Sequence, residues 1–420
     1  MEIEAKFLIE NEEVFHRLGG IKSIASFEVG DFSESIFTDI YLDTSDMAVC
    51  SSGYSFRQRE KPGRFTYTLK SLDNSGLPIH KREEIEESYP ERKAVEELGE
   101  SRLKHLLFHM IGSGLLFPLF EVSHKRKTAL IAGHSREIVE LSLDDVTIIC
   151  QGDKKSYLEV ELELHNGTEE ELKLMVSALK DDFGLMPGSS SKFDNGMDMM
   201  RDNMKGLAAR MDYGEASDKR VSGSIPLKVM FEEYDIEMPH ARKVAENSLV
   251  LFDKLASLHR LEPDFREVMR IAALVHDVGF TSDMKDHHKE GRDILLAHPP
   301  TGLPFPLYRM LPWTTFLHKK KIDDKRLEKL HNKNAFMNMP PGMQNDILRI
   351  AAILRIADGL DYSRMDSSIA GISLQEDKAI IEVQGPGAQT DAKRADVKCD
   401  LWRMLFKKDL HFRPANYEPA

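Results

Sequence analysis

Apolar and polar residues alternate along much of the chain up to about residue 165. In Glu2-Ile3-Glu4-Ala5-Lys6-Phe7-Leu8-Ile9, the residues Glu2, Glu4, Lys6 and Leu8 share one face, and Ile3, Ala5, Phe7 and Ile9 share the other. The same period predicts strands over 36–42, 54–60, 64–70, 79–86, 120–131, 138–143, 146–150 and 157–164. Turn chemistry separates several of them: Asp43-Thr44-Ser45-Asp46, the hairpin residues Lys61-Pro62-Gly63, and Asp73-Asn74-Ser75-Gly76. A helical stretch is expected around 94–110. Another spans Glu169 to Phe183, where Leu172, Met175, Val176, Leu179 and Phe183 recur at helical spacing before a C-capping Gly184.

The polar faces are dense in charge. Arg57 and Arg59 point one way from their strand, as do Arg82, Glu84 and Glu86 from theirs, and Glu159, Glu161 and Glu163 from the last. About eight antiparallel strands of this kind would close into a barrel without exposed edges. Alternation leaves two arrangements open. Either the apolar faces fill the interior and the charges are ordinary surface, or the charges line a water-filled tunnel. An outer-membrane barrel is excluded, since aromatic girdles and lipid-facing strands of about 10 residues are lacking.

Residues 206–225 are poor in large apolar side chains and read as a linker between a domain over 1–205 and one over 226–420. Beyond it the period becomes helical, over 242–258, 265–275 and 346–360, with a short hairpin over 371–383 and an amphipathic helix over 392–408. The fold class expected is therefore multi-domain α+β: an antiparallel barrel with helices, then an all-α domain with a small β-hairpin. The chemistry-bearing residues of the second half are spaced along it: His240 opening one helix, His276-Asp277 ending the next, and Asp358 ending a long one, with His287, His288 and His318 between.

Composition narrows the classes. The 420 residues are 41% hydrophobic and 30% charged, with a net charge of -13, which disfavours non-specific nucleic-acid binding. Three scattered cysteines form neither a disulfide framework nor a zinc knuckle, and suit a reducing cytoplasm. No apolar run approaches the ~20 residues of a membrane span, and no signal peptide opens the chain, so no membrane partner is expected.

The first half resembles the CYTH, or triphosphate tunnel metalloenzyme, family over about residues 1–205. The stations are Glu2-Ile3-Glu4-Ala5-Lys6, Tyr41-Leu42-Asp43-Thr44, Arg57-x-Arg59 and Thr68-Leu69-Lys70. Arg82-x-Glu84-x-Glu86, His124-Lys125-Arg126-Lys127, Glu159-x-Glu161-x-Glu163 and Ser191-Lys192-Phe193 follow in order. The resemblance implies an eight-stranded tunnel that binds a linear triphosphate. It implies that Glu2, Glu4, Glu159 and Glu161, with Asp144 as a further ligand, hold Mg²⁺ or Mn²⁺. Lys6, Arg57, Arg59, Lys70, Arg82, Arg126 and Lys192 are implied to cradle the phosphates, with Glu4, Lys6 and Glu84 in catalytic roles. Glu84 and Glu163 stand equally as ligands or as ion-pair partners.

Over about 230–415 the chain is similar to the C-terminal HD module of the exopolyphosphatase/guanosine pentaphosphate phosphohydrolase family. The motifs are His240-Ala241-Arg242-Lys243-Val244-Ala245, Leu274-Val275-His276-Asp277-Val278-Gly279 and Ile353-Leu354-Arg355-Ile356-Ala357-Asp358-Gly359. That family's ATPase-like domain is absent here. The likeness implies a site for Mn²⁺, Fe²⁺, Co²⁺ or Ni²⁺ built from His240, His276, Asp277, His287 (His288 as fallback), His318 and Asp358. The function expected is metal-dependent hydrolysis of inorganic triphosphate or polyphosphate. The alternatives are an adenylate cyclase of the same tunnel family, or a sensor that binds polyphosphate or nucleotide without turnover. A homodimer is allowed but not specified.

Overall fold

The computed structural model describes residues 2–72, 79–133, 136–188, 190–213 and 223–415. The chain divides into two compact units, Met1–Met200 and Arg201–Ala420. The turn expected at Asp73 to Gly76 lies outside the described residues.

The first unit is an antiparallel sheet that curls on itself. Its elements in order are β1 (Glu2–Ile9), α1 (Glu12–Leu18), β2 (Ser23–Ile24), β3 (Phe27–Val29), β4 (Ser33–Thr44), α2 (Ala48–Ser51), β5 (Tyr54–Lys61) and β6 (Arg64–Ser71). β7 (Ile79–Arg82), β8 (Glu84–Tyr89), α3 (Arg102–Ile111), β9 (Leu116–Gly133), β10 (Arg136–Cys150), β11 (Asp153–Leu164), α4 (Glu169–Phe183) and α5 (Lys192–Arg210) follow. Strand order is β7-β1-β11-β10-β9-β4-β5-β6-β8, with β2 and β3 as an annex on β9. β7 and β8 sit at opposite ends of that order, yet only Glu83 separates them in the chain. Counted as one interrupted strand, they close a ring of eight.

Local chemistry follows the sequence closely. Pro62-Gly63 turns the β5–β6 hairpin with Gly63 at φ 70°, a conformation glycine reaches without a Cβ clash. Thr168 and Glu171 form a capping box on α4, and Gly184 ends it at φ 69°. Three expectations need correction. The strands at 138–143 and 146–150 are one continuous β10, because Asp144 and Asp145 continue the alternation rather than turning. The helix expected from 94 starts only at Arg102, after a single 3₁₀ turn over Val95–Glu97. Residues 206–210 are the end of α5, with Leu207 and Ala208 fully buried, so that part of the expected linker is helix; 214–222 lie outside the described residues.

The apolar faces of the strands point out and the charged faces in. Ala5, Phe7, Leu141, Leu143, Val160 and Leu162 pack beneath Leu18 of α1 and Leu172, Met175 and Leu179 of α4. Phe56, Tyr67 and Leu69 pack beneath Leu103, Leu107 and Ile111 of α3. The helices therefore serve as the hydrophobic exterior wall, which frees the interior for charge. Part of the interior is apolar: Tyr41, Phe120, Val122, Val146 and Ile148 project inward and meet Phe193 and Met199 of α5.

The second unit is helical: α6 (Leu227–Glu233), α7 (Met238–Lys254), α8 (Ala256–His259), α9 (Phe265–Leu274), α10 (His287–Ala297), α11 (Leu311–His318), α12 (Asp324–His331), α13 (Asn334–Met337) and α14 (Pro341–Gly359). α14 is its axis, touching α7, α9 and α11 and almost wholly buried. The tail corrects the expected hairpin and single closing helix. β12 (Ser368–Leu374) and β13 (Lys378–Gln384) are followed by α15 (Ala388–Lys398) and α16 (Asp400–Leu405), and β14 (Asp409–Pro414) returns parallel to β13. Among the described residues, no helix is long and apolar enough to cross a membrane.

Candidate functional site

The barrel interior encloses a cavity of about 760 Å³. Period-two alternation brings its wall from all the ring strands: Glu2, Glu4 and Lys6 from β1, Ser33, Ser35 and Tyr41 from β4, Arg57 and Arg59 from β5, Lys70 from β6, Arg82 from β7, Glu84 from β8, Arg126 from β9, Glu140 from β10 and Glu161 from β11. Lys192 enters from the start of α5.

Burial of so many charges is tolerable only because they are paired. Lys6 Nζ lies 2.6 Å from Glu161 and 3.5 Å from Glu4. Lys70 pairs with Glu2 and stands 3.3 Å from both Glu4 and Glu84. Arg82 is 3.4 Å from Glu4, and Arg57 is 3.3 Å from Glu84. Arg126 grips Asp144 with two bonds of 2.7 and 2.5 Å and reaches Glu161 at 2.7 Å. Its neighbours Lys125 and Lys127 point outward to Asp145 and Glu34. Glu163 is half-buried on the cavity wall, 3.5 Å from His165.

One set of carboxylates suits a hard divalent cation. Asp144, Glu159 and Glu161 are all buried and offer oxygens within 4.8 Å of one another. Burial pushes Glu159 up to about 7, against the pull of Lys192. Asp144 falls to about 2, because Lys192 and Arg126 outweigh its burial. Glu4 does not join this trio; it is linked to it through Lys6, and Lys6 and Lys70 hold its pKa down despite burial. Glu2 lies further off beside Lys70, pushed up to about 8 by burial.

The sequence reading missed Asp39. It is fully buried, accepts two bonds from Arg59 at 2.7 and 2.9 Å, and lies 3.4 Å from Arg57 and 3.3 Å from His124. Its signal was available: Ser33, Ser35, Asp39 and Tyr41 alternate on one face of β4, and the other three line the cavity.

In the helical unit, His240, His276, His287 and His318 converge on Asp277. The Nε2 atoms of His287 and His318 lie 3.2 and 3.3 Å from Asp277 Oδ1, and that of His276 lies 3.5 Å from Oδ2. His240 Nε2 is 3.8 Å from Asp277 and 3.7 Å from Asp358. The far ring nitrogens are anchored: His240 Nδ1 to Asp361 at 2.6 Å, His276 Nδ1 to the Ala273 carbonyl at 2.7 Å, and His318 Nδ1 to the Thr315 carbonyl at 2.6 Å. Such anchoring aims Nε2 at a shared point, as in metal sites. Among the described residues, the Nε2 atoms of His240 and His276 are buried without a hydrogen-bond partner, an expensive state that a bound cation would relieve. The donors thus fit a transition metal. Asp358 Oδ2 accepts a hydrogen bond from Lys398 Nζ at 2.8 Å, and His288 turns away toward Phe316. Asp361 closes the motif that runs on from Asp358 through Gly359 and Leu360, and Lys398 lies in the expected closing helix, but the sequence assigned neither a role at the site.

Residues 1–195 match the CYTH domain, and residues 226–398 match Ppx/GppA phosphatase, domain III. No curated protein matches the chain. A solved structure from Hippeastrum, named as an adenylyl cyclase with a dominant triphosphatase activity, is 18% identical, covering 47% of this chain and 96% of its own at a TM-score of 0.37. One from Bacillus halodurans, named as an adenylate cyclase, is 21% identical over 46% and 94% at 0.33. The Mimivirus capping enzyme triphosphatase is 14% identical over 42% and 89% at 0.26.

Proposed function

We propose that the CYTH barrel is a divalent-metal-dependent triphosphatase acting on inorganic triphosphate or polyphosphate. We further propose that the helical unit carries an HD-type metal site for phosphohydrolysis or for binding polyphosphate or nucleotide. The observation that carries the first reading is a single cavity whose wall alternates buried cations with buried carboxylates. Cations alone would suit an anion receptor; the carboxylates add a place for metal.

In this reading Arg57, Arg59, Lys70 and Arg82 donate to non-bridging phosphate oxygens and hold the chain in line. Arg126 and Lys192 do the same nearer the carboxylate trio. Glu84, 3.3 Å from both Arg57 and Lys70, keeps those two donors facing the cavity. Glu4 and Lys6 are the groups set to orient water toward the terminal phosphorus. Attack by that water breaks the P–O–P bridge and releases orthophosphate and the shortened chain. Mg²⁺ or Mn²⁺ held by Asp144, Glu159 and Glu161 would neutralise charge on the phosphates, while Glu4 and Glu2 stand apart from that trio beside Lys6 and Lys70. Three free cysteines agree with a reducing cytoplasm.

The test incubates the protein with tripolyphosphate, long-chain polyphosphate and ATP, each with Mg²⁺ or Mn²⁺. Metal-dependent orthophosphate from tripolyphosphate is expected. Cyclic AMP from ATP would replace this reading with cyclisation, and binding without product would replace it with a sensor.

A further inference from the structure

Lys192 sits oddly for a side chain whose only task is to hold phosphate. It is 5% exposed, and its ammonium pairs with Glu159, lies 2.9 Å from Glu161 Oε1 and 3.1 Å from Asp144 Oδ2. Those are the three carboxylates whose oxygens cluster within 4.8 Å. One ammonium therefore fills the point at which a divalent cation shared by the same three groups would have to sit. Mg²⁺ binds oxygen at about 2.1 Å and would share that space with a second cation only against strong repulsion.

Charge balance sharpens the conflict. The trio already faces Lys6, Arg126 and Lys192, so it is compensated without a metal. Of these cations, Lys192 is the one that meets all three carboxylates, whereas Lys6 meets only Glu161 of the trio. Arg126 is fixed by its fork on Asp144, whereas a lysine ammonium swings on a flexible four-carbon stem. The base of that stem is held: Ser191 Oγ donates to Asp194 Oδ2 at 2.7 Å, and the Ser191 backbone N–H donates to the same oxygen at 2.9 Å. Lys192 also lines the cavity, so space for the displaced head lies next to it.

We propose that Lys192 is a tethered cation competing with the divalent metal for Asp144, Glu159 and Glu161, so that metal entry expels its ammonium toward the bound polyanion. The proposal rests on the triphosphatase reading for the identity of that polyanion. Metal and triphosphate both favour the displaced lysine, and each therefore raises the affinity for the other.

The experiment uses the full chain carrying Asp277→Ala, which silences the histidine cluster, with and without Lys192→Gln. Free Mn²⁺ is titrated and followed by electron paramagnetic resonance in the absence of phosphate. The Gln variant is expected to bind Mn²⁺ at least about tenfold more tightly, within the span usual for coupled sites; equal or weaker binding overturns the proposal. Because the variant also strips a partner from buried carboxylates, a second measurement keeps residue 192 as lysine. Acetylation of Lys192 by an amine reagent, read by mass spectrometry, is expected to rise several-fold when Mn²⁺ saturates the site. Unchanged labelling at saturation overturns the proposal. Phosphate release from tripolyphosphate by the wild type is assayed in parallel: its absence sinks the triphosphatase reading, while the Mn²⁺ titration and labelling alone decide the role of Lys192.

Discussion

Glu4 concentrates the cost of the tunnel in one side chain. It is 3% exposed, and Lys6, Lys70 and Arg82 all stand within 3.5 Å of it. Glu4→Gln keeps the shape and removes the charge. Metal-dependent phosphate release from tripolyphosphate is expected to fall about a hundredfold with the fold intact, and turnover within twofold of wild type would remove Glu4 from the machinery. His124 gives a pH signature. It stacks on Phe37 with ring centroids 4.4 Å apart, and burial lowers its pKa from 6.5 to about 4. The unfolded chain therefore takes up this proton first as pH falls, so stability is full above pH 6.5 and drains away down to about pH 4. The loss is roughly 3 kcal/mol. His124→Phe should change the slope in denaturant melts between pH 7 and 4.5 by that share, leaving the parts due to His318 and to the raised Glu159; an unchanged slope would take His124 out of the pH dependence. Asp39 acts in the same direction lower down, since Arg59 and Arg57 overcome its burial and hold its pKa well below 3.8. Both residues sit on inward faces that alternation exposes. Alternation in the sequence places each on a shared face, but that the face looks inward is legible only once the facing strands are known.

At the level of elements, strand period was legible and strand orientation was not. β11 reads identically whether Glu159, Glu161 and Glu163 face water or a tunnel. What decides is the set of helices outside: α1, α3 and α4 bring the apolar surface that covers Leu162 and its neighbours. α5 was hidden for a related reason. Only its end, 206–210, reads as linker, where Gly206, Ala208 and Ala209 are small; Gly196, earlier in the helix, is small because it must be. A Cβ there would lie 2.2 Å from the Phe120 ring. Gly196→Val should push the start of α5, and Lys192 with it, off the barrel. A cost of about 1–3 kcal/mol in thermal or urea unfolding is expected, with a parallel loss of phosphate release. Adding Phe120→Ala should recover part of both, and strictly additive losses would show that the two side chains do not meet.

For the whole molecule, the two units present different ligand chemistry. The barrel trio of Asp144, Glu159 and Glu161 offers only carboxylate oxygens, which suit Mg²⁺, whereas the cluster of His240, His276, Asp277, His287 and His318 is mostly imidazole, which suits transition metals. Stripped protein given Mg²⁺ alone should therefore regain tunnel hydrolysis of tripolyphosphate while the histidine cluster stays empty. Mn²⁺ or Co²⁺ should fill both. Asp277→Ala removes the carboxylate common to the two histidine groups, and metal analysis after dialysis should show the transition metal of the helical unit gone. Glu161→Gln should spare that metal and abolish the hydrolysis. Loss of histidine-cluster metal in Glu161→Gln, or of Mg²⁺-supported hydrolysis in Asp277→Ala, would mean that the two sites are not independent. The helical unit would then have to be read as a regulator of the tunnel rather than as a second site of its own.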